Sequence, residues 1–83
     1  MKTIREKLMQ LENSVFSNRE KTYSDYSEYT LICISEYGKL SYSNNIPFST
    51  CLAQRRWIRE KSKTLTFIVF TKDWEKLEKT IHF

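Results

Sequence analysis

Two short runs constrain this chain most: Leu31-Ile32-Cys33-Ile34 and Phe67-Ile68-Val69-Phe70 are apolar without a break. Neither approaches the roughly 20 residues that span a bilayer. Strands that do not alternate are expected to be buried on both faces, so both runs read as central strands. With 83 residues in all, the helices must then lie on both sides of a small sheet, unless a partner supplies a fourth strand. One glycine and one proline leave most of the chain in regular elements with short connections.

The helical segments follow from their spacing. Thr3 and Glu6 form a capping-box pattern at the start of a helix running to about Ser17. Ile4, Leu8, Leu11 and Val15 recur along one face of that helix. Such a stripe packs a core or, in a homodimer, lines a seam between two copies. Asn18 to Glu28 reads as a polar connection whose large residues, Tyr23 and Tyr26 among them, cover the edge of a core with their hydroxyls in water or, as the alternative, stack on a base or sit in an interface. Tyr29–Ser35 is the first strand and Tyr37-Gly38 a tight turn. Lys39–Ser43 is an alternating edge strand with Leu40 and Tyr42 on one face. Pro47 suits the first turn of a second helix, for which Ser49 could cap a later start. Around that helix Cys51, Ala53, Trp57 and Ile58 share one arc, and Arg55, Arg56, Arg59 and Lys63 gather opposite with Leu52. Thr64–Thr71 is the third strand. Thr71 is placed to cap a last helix from Lys72 to about Ile81 that turns Trp74, Leu77 and Ile81 to one side.

The order is α-β-β-α-β-α. A crossover from the second strand to the third that skips one position sets the strand order second-first-third. The expected fold class is therefore α+β: one domain over residues 1–83 with no linker, built on a three-stranded, mainly antiparallel sheet covered by helices. The charged N-terminus lacks the apolar core of a signal peptide. A soluble, cytoplasmic protein that does not enter membranes is expected, with Cys33 and Cys51 as reduced, buried thiols.

The positive charge is concentrated. Arg55 to Lys63 holds five basic residues against Glu60, a net +4, which equals the formal net charge of the whole chain. Residues 1–54 and 64–83 each balance to zero. A local excess of this kind points to an anionic partner. Catalytic patterns are thin by comparison. His82 lies one residue from the end, where it would hold a triad poorly. One glycine cannot make a phosphate-binding loop. Two cysteines and His82 cannot close a four-ligand zinc site, so no metal or other cofactor is expected. Cys51, near a helix start, is the one residue with a route to a lowered thiol pKa.

The sequence therefore predicts a non-enzymatic regulatory protein that engages nucleic acid through the helix over residues 49–63. Arg55, Arg56, Arg59, Lys61 and Lys63 are its contacts, with Tyr23, Tyr26 and Tyr42 as accessory groups. The second reading uses the same helix against an acidic protein surface, as an interaction module or an inhibitor of a larger enzyme. A toxin-type ribonuclease, working with Arg, Lys and Tyr, ranks last because no residue pattern supports it.

Overall fold

A computed structural model describes residues 3–17 and 26–81. The elements follow in the expected order: α1 (Ile4–Ser17), β1 (Tyr29–Ile34), β2 (Leu40–Ile46), α2 (Phe48–Lys61), β3 (Leu65–Phe70) and α3 (Thr71–Glu78). The strands form one antiparallel sheet in the order β2-β1-β3. Tyr23 and His82 lie outside the described residues.

Because β1 is central, its side chains divide between two apolar clusters. Ile32 and Ile34 join Phe67, Val69, Leu8 and Trp74 on one face of the sheet. Tyr29 and Leu31 join Ile68, Phe48, Cys51 and Val15 on the other. α3 covers the first face, and Trp74, Leu77 and Ile81 all pack there as their spacing predicted. α2 covers the second.

β3 corrects the expectation drawn from its composition, for it is an edge strand and not a central one. Its unbroken apolar run is explained by α1, which straddles the open edge. Ile4, Leu8 and Leu11 pack into the first cluster, while Val15 and Phe16 reach the second. Between these two sets, Glu12 turns its carboxylate onto the strand, where Oε1 accepts the Ile68 N–H at 2.9 Å. A side chain thus satisfies a ladder position that would otherwise be an open template for pairing. The helix start is the predicted capping box: Thr3 Oγ1 accepts the Glu6 N–H at 3.2 Å, and the Glu6 carboxylate accepts the Thr3 N–H at 3.5 Å.

The junction of all three strands is tied by hydroxyls. Thr71 does not cap α3, because Phe70 occupies the cap position and Thr71 is the first helical residue. Its Oγ1 accepts the Asn45 N–H at 3.1 Å and lies 2.8 Å from Thr30 Oγ1, which donates to Asn44 Oδ1 at 2.9 Å. Since Thr30 gives its proton to Asn44, Thr71 must donate to Thr30. The relay begins and ends on the Asn44-Asn45 pair. That pair sits where the β1–β2 register shifts, and Asn45 takes a left-handed φ of 57°. Asn tolerates this region better than most residues. The irregularity carries β2 on to Ile46, beyond the expected end at Ser43.

α2 is rotated relative to the sequence reading. Pro47 is its N-cap residue and Ser49 lies inside the helix, so neither position is the one expected. Phe48 and Cys51 are buried and Ile58 half-buried, while Trp57 is 63% exposed and Ala53 is exposed. The core stripe is Phe48, Cys51, Arg55 and Ile58, which places an arginine among the inward positions.

Candidate nucleic-acid interface

The five basic residues of the 55–63 segment separate into three environments. Arg55 is drawn inward: its side chain is 17% exposed and its Nη1 lies 3.1 Å from Glu12 Oε1. The guanidinium carbon also sits 5.9 Å from the centre of the Phe16 ring, a cation–π contact. Burial pulls the Arg55 pKa below the ordinary arginine value; Glu12 opposes that shift and the neighbouring charge of Arg59 adds to it. The guanidinium stays charged at any physiological pH. Glu12 therefore serves two groups at once, the edge amide of β3 and the Arg55 cation. Arg55 is part of the frame between α1 and α2, which corrects its assignment as an exposed contact.

Arg56 and Arg59 are exposed and line a groove of about 710 Å³ between α1 and α2, together with Phe16, Leu52 and Glu60. Lys61 projects from the opposite flank of α2, about 140° around the helix from Arg56 by the 100° rotation per residue. Lys63 lies in the connection between α2 and β3 and is exposed. Among the described residues these four cations make no ion pair, whereas Arg55 does. Arg59 and Lys61 occupy the last turn of α2, where positive charge also complements the helix dipole.

Neither Tyr42 nor Tyr26 joins this surface. The Tyr42 ring packs edge-on against Trp74 with centroids 5.0 Å apart, and its hydroxyl donates to the Glu78 carboxylate. That bond, with Glu78 charge nearby, raises the Tyr42 pKa. Tyr42 covers the core on the sheet face away from α2. Tyr26 is exposed, but it precedes Tyr29, which packs on Phe48 in the first turn of α2. It therefore sits at the end of the sheet away from the basic turns.

A second groove, of about 410 Å³, opens between the C-terminal half of α2 and the β1–β2 hairpin. Trp57 and Ile58 line it on the helix side, Cys33, Ser35, Lys39 and Ser41 on the sheet side. Three features here and at α1 escaped the sequence reading: Glu12, counted only as one acid in a balanced segment; Trp57, assigned to the core; and Lys39, assigned only to the edge strand. The signal that could have found Trp57 was the weak amphipathicity of α2, which left its rotation undecided.

Cys51 does not keep the lowered pKa that its place near a helix start allowed. It is buried, and burial pushes its thiol up to about 11; burial also raises Cys33. Both are free thiols. A thiol raised in the folded state favours folding while it stays protonated. Its contribution is complete below the ordinary value of 9.0 and is lost as pH rises toward 11. The urea midpoint is therefore expected to fall between pH 9 and pH 11, and Cys51→Ala should reduce that fall. An equal fall in the variant would show that other groups govern it.

Among the described residues no group of three or more His, Cys, Asp or Glu side chains is placed to hold a metal ion, and no helix is long and apolar enough to cross a membrane. Comparison with known protein families, curated proteins and solved structures finds no match for this chain.

Proposed function

We propose that this protein is a small non-enzymatic binding protein that engages nucleic acid through the exposed basic residues Arg56, Arg59, Lys61 and Lys63. One observation carries the reading. Of the five basic residues in the only charge-unbalanced segment, one is neutralised by Glu12 and four stand exposed without an ion-pair partner among the described residues. Arginine forks and lysine ammonium groups in that state suit phosphate oxygens. Release of condensed counterions would supply most of the affinity.

The acidic-protein reading gains from one feature of the α1–α2 groove. Its floor is apolar, with Phe16 half-buried and Leu52 41% exposed between the arginines. A partner helix with an acidic rim would fit there.

Paired alanine substitutions distinguish the two. Arg56→Ala with Arg59→Ala should weaken binding to DNA or RNA by roughly tenfold per lost phosphate contact near 0.1 M salt. The slope of log K against log salt should shrink by about 1.8 for duplex, at 0.9 per contact. Thermal stability should be unchanged, since both side chains are exposed. Fluorescence anisotropy with labelled oligonucleotides reads the first two and a thermal melt the third. Binding that keeps its full slope in the double variant would remove these arginines from the interface.

A further inference from the structure

The groove beside Trp57 points to a more specific ligand, and this inference rests on the reading of the 56–63 segment as a nucleic-acid surface. Trp57 is 63% exposed although its neighbour Ile58 packs inward. A helix of this small domain thus presents its largest side chain to solvent at the lip of an open groove. The opposite bank is the β1–β2 hairpin, pinned by the Ser35 N–H bonded to Lys39 O at 2.9 Å and the Lys39 N–H bonded to Ser35 Oγ at 3.0 Å. Tyr37, in the turn between those residues, is 90% exposed. The hairpin turn thus carries a second exposed aromatic, between two residues that line the groove.

Cations stand on both banks. Lys39 lines the groove from the hairpin. Lys61 follows Trp57 by four residues and so lies one turn along the same flank of α2. Lys63 sits between Ser62 and Thr64, both of which line the groove. The acids nearby are fewer: Glu36 lies in the hairpin turn, and Glu60 faces the other groove. An aromatic platform flanked by cations is complementary to a chain of phosphates bearing free bases. In a duplex the bases stack on one another and offer Trp57 no face, whereas a single strand splays them.

We infer that the Trp57 groove binds single-stranded nucleic acid, with a base stacked on Trp57 and the adjoining phosphates on Lys39, Lys61 and Lys63. The indole provides the non-electrostatic part of the binding and the lysines the salt-dependent part.

Tryptophan emission tests this directly. The chain has two tryptophans; Trp74 is fully buried, so quenching by an added oligonucleotide reports on Trp57. Titration with a short single-stranded DNA or RNA should quench the exposed component, and affinity for it should exceed that for a duplex of the same length. Trp57→Ala should abolish the quench and weaken single-strand binding by roughly 5- to 150-fold, the range for loss of one stacked base. Duplex binding should be nearly unchanged, as should the melting temperature. Lys39→Gln should lower the single-strand salt slope by about 0.7, one phosphate contact. Equal binding of duplex and single strand, with Trp57 emission unchanged and Trp57→Ala neutral, would overturn this inference and leave the basic segment as a general phosphate surface. No salt-dependent binding of any nucleic acid would overturn both, as would stoichiometric capture of Trp57 by a protein with no affinity for oligonucleotides.

Discussion

Replacing Trp74 with alanine is expected to remove a large share of the stability of this protein. Trp74 is fully buried, and its cluster gathers residues from α1, β1, β3 and α3. It also supports the Tyr42 ring, which closes that side of the sheet. Truncating a buried tryptophan costs about 3–5 kcal/mol through lost burial and the cavity left behind. An 83-residue domain has a total stability of about 4–12 kcal/mol at the usual 0.05–0.15 per residue. Trp74→Ala should therefore move the urea midpoint far toward water, and a urea titration followed by circular dichroism should show it. Trp74→Phe is the informative companion. The indole Nε1–H is buried without an acceptor among the described residues, so phenylalanine removes an unsatisfied donor along with some volume. Its cost should stay near or below about 2 kcal/mol. An equal cost for both variants would mean that indole shape, and not burial, decides the site.

Glu12→Ala is the second large effect, expected at about 2–4 kcal/mol. It strands the Arg55 guanidinium beside Phe16 and leaves the Ile68 N–H on the edge strand without its acceptor. Breaking a buried pair from one side leaves an uncompensated charge, and an orphaned amide adds its own desolvation penalty. The residual exposure of both side chains, 15% and 17%, keeps the value below the upper limit for fully buried pairs. Glu12→Gln retains an oxygen that can accept the Ile68 N–H and should recover about half of the loss. Arg55→Met separates frame from function. It should cost stability, at about 1–2 kcal/mol by loss of the pair and its packing, yet leave nucleic-acid affinity nearly intact. Arg56→Ala and Arg59→Ala should do the reverse. Equal losses of affinity from all three arginines would return Arg55 to the interface.

The sheet could be read from the chain because its determinants are local. Leu31–Ile34 and Phe67–Phe70 are short unbroken apolar runs that read as strands, Tyr37-Gly38 marks the turn from the first of them into β2, and Gly38 indeed takes a φ of 84°. The crossover then left one short right-handed arrangement. The crossover order already put β3 at an edge, but its unbroken apolar run pointed to the centre, because burial at an edge looks the same in sequence as burial at the centre when a helix supplies the cover. That cover depends on Glu12, 56 residues from its partner Ile68, and no local pattern links them. The rotation of α2 was hidden for a related reason. Arg55 is a polar residue at an inward position and Trp57 an apolar residue at an outward one, so the two exceptions nearly cancel the helical signal. Tertiary pairing with Glu12 explains the first. The second stays a solvent-facing indole, and it is this residue that directs attention to the groove.

The most direct test of the account is the salt dependence of binding by the unmodified protein, measured by fluorescence anisotropy from about 20 to 300 mM salt on single-stranded and duplex oligonucleotides. Contacts from Arg56, Arg59, Lys61 and Lys63 predict a slope of log K against log salt of about −3.6 for a duplex at 0.9 per phosphate, and contacts from Lys39, Lys61 and Lys63 a slope of about −2.1 for a single strand at 0.7 per phosphate. A slope near zero, or no binding at the lowest salt, would contradict the assignment of this basic surface to nucleic acid.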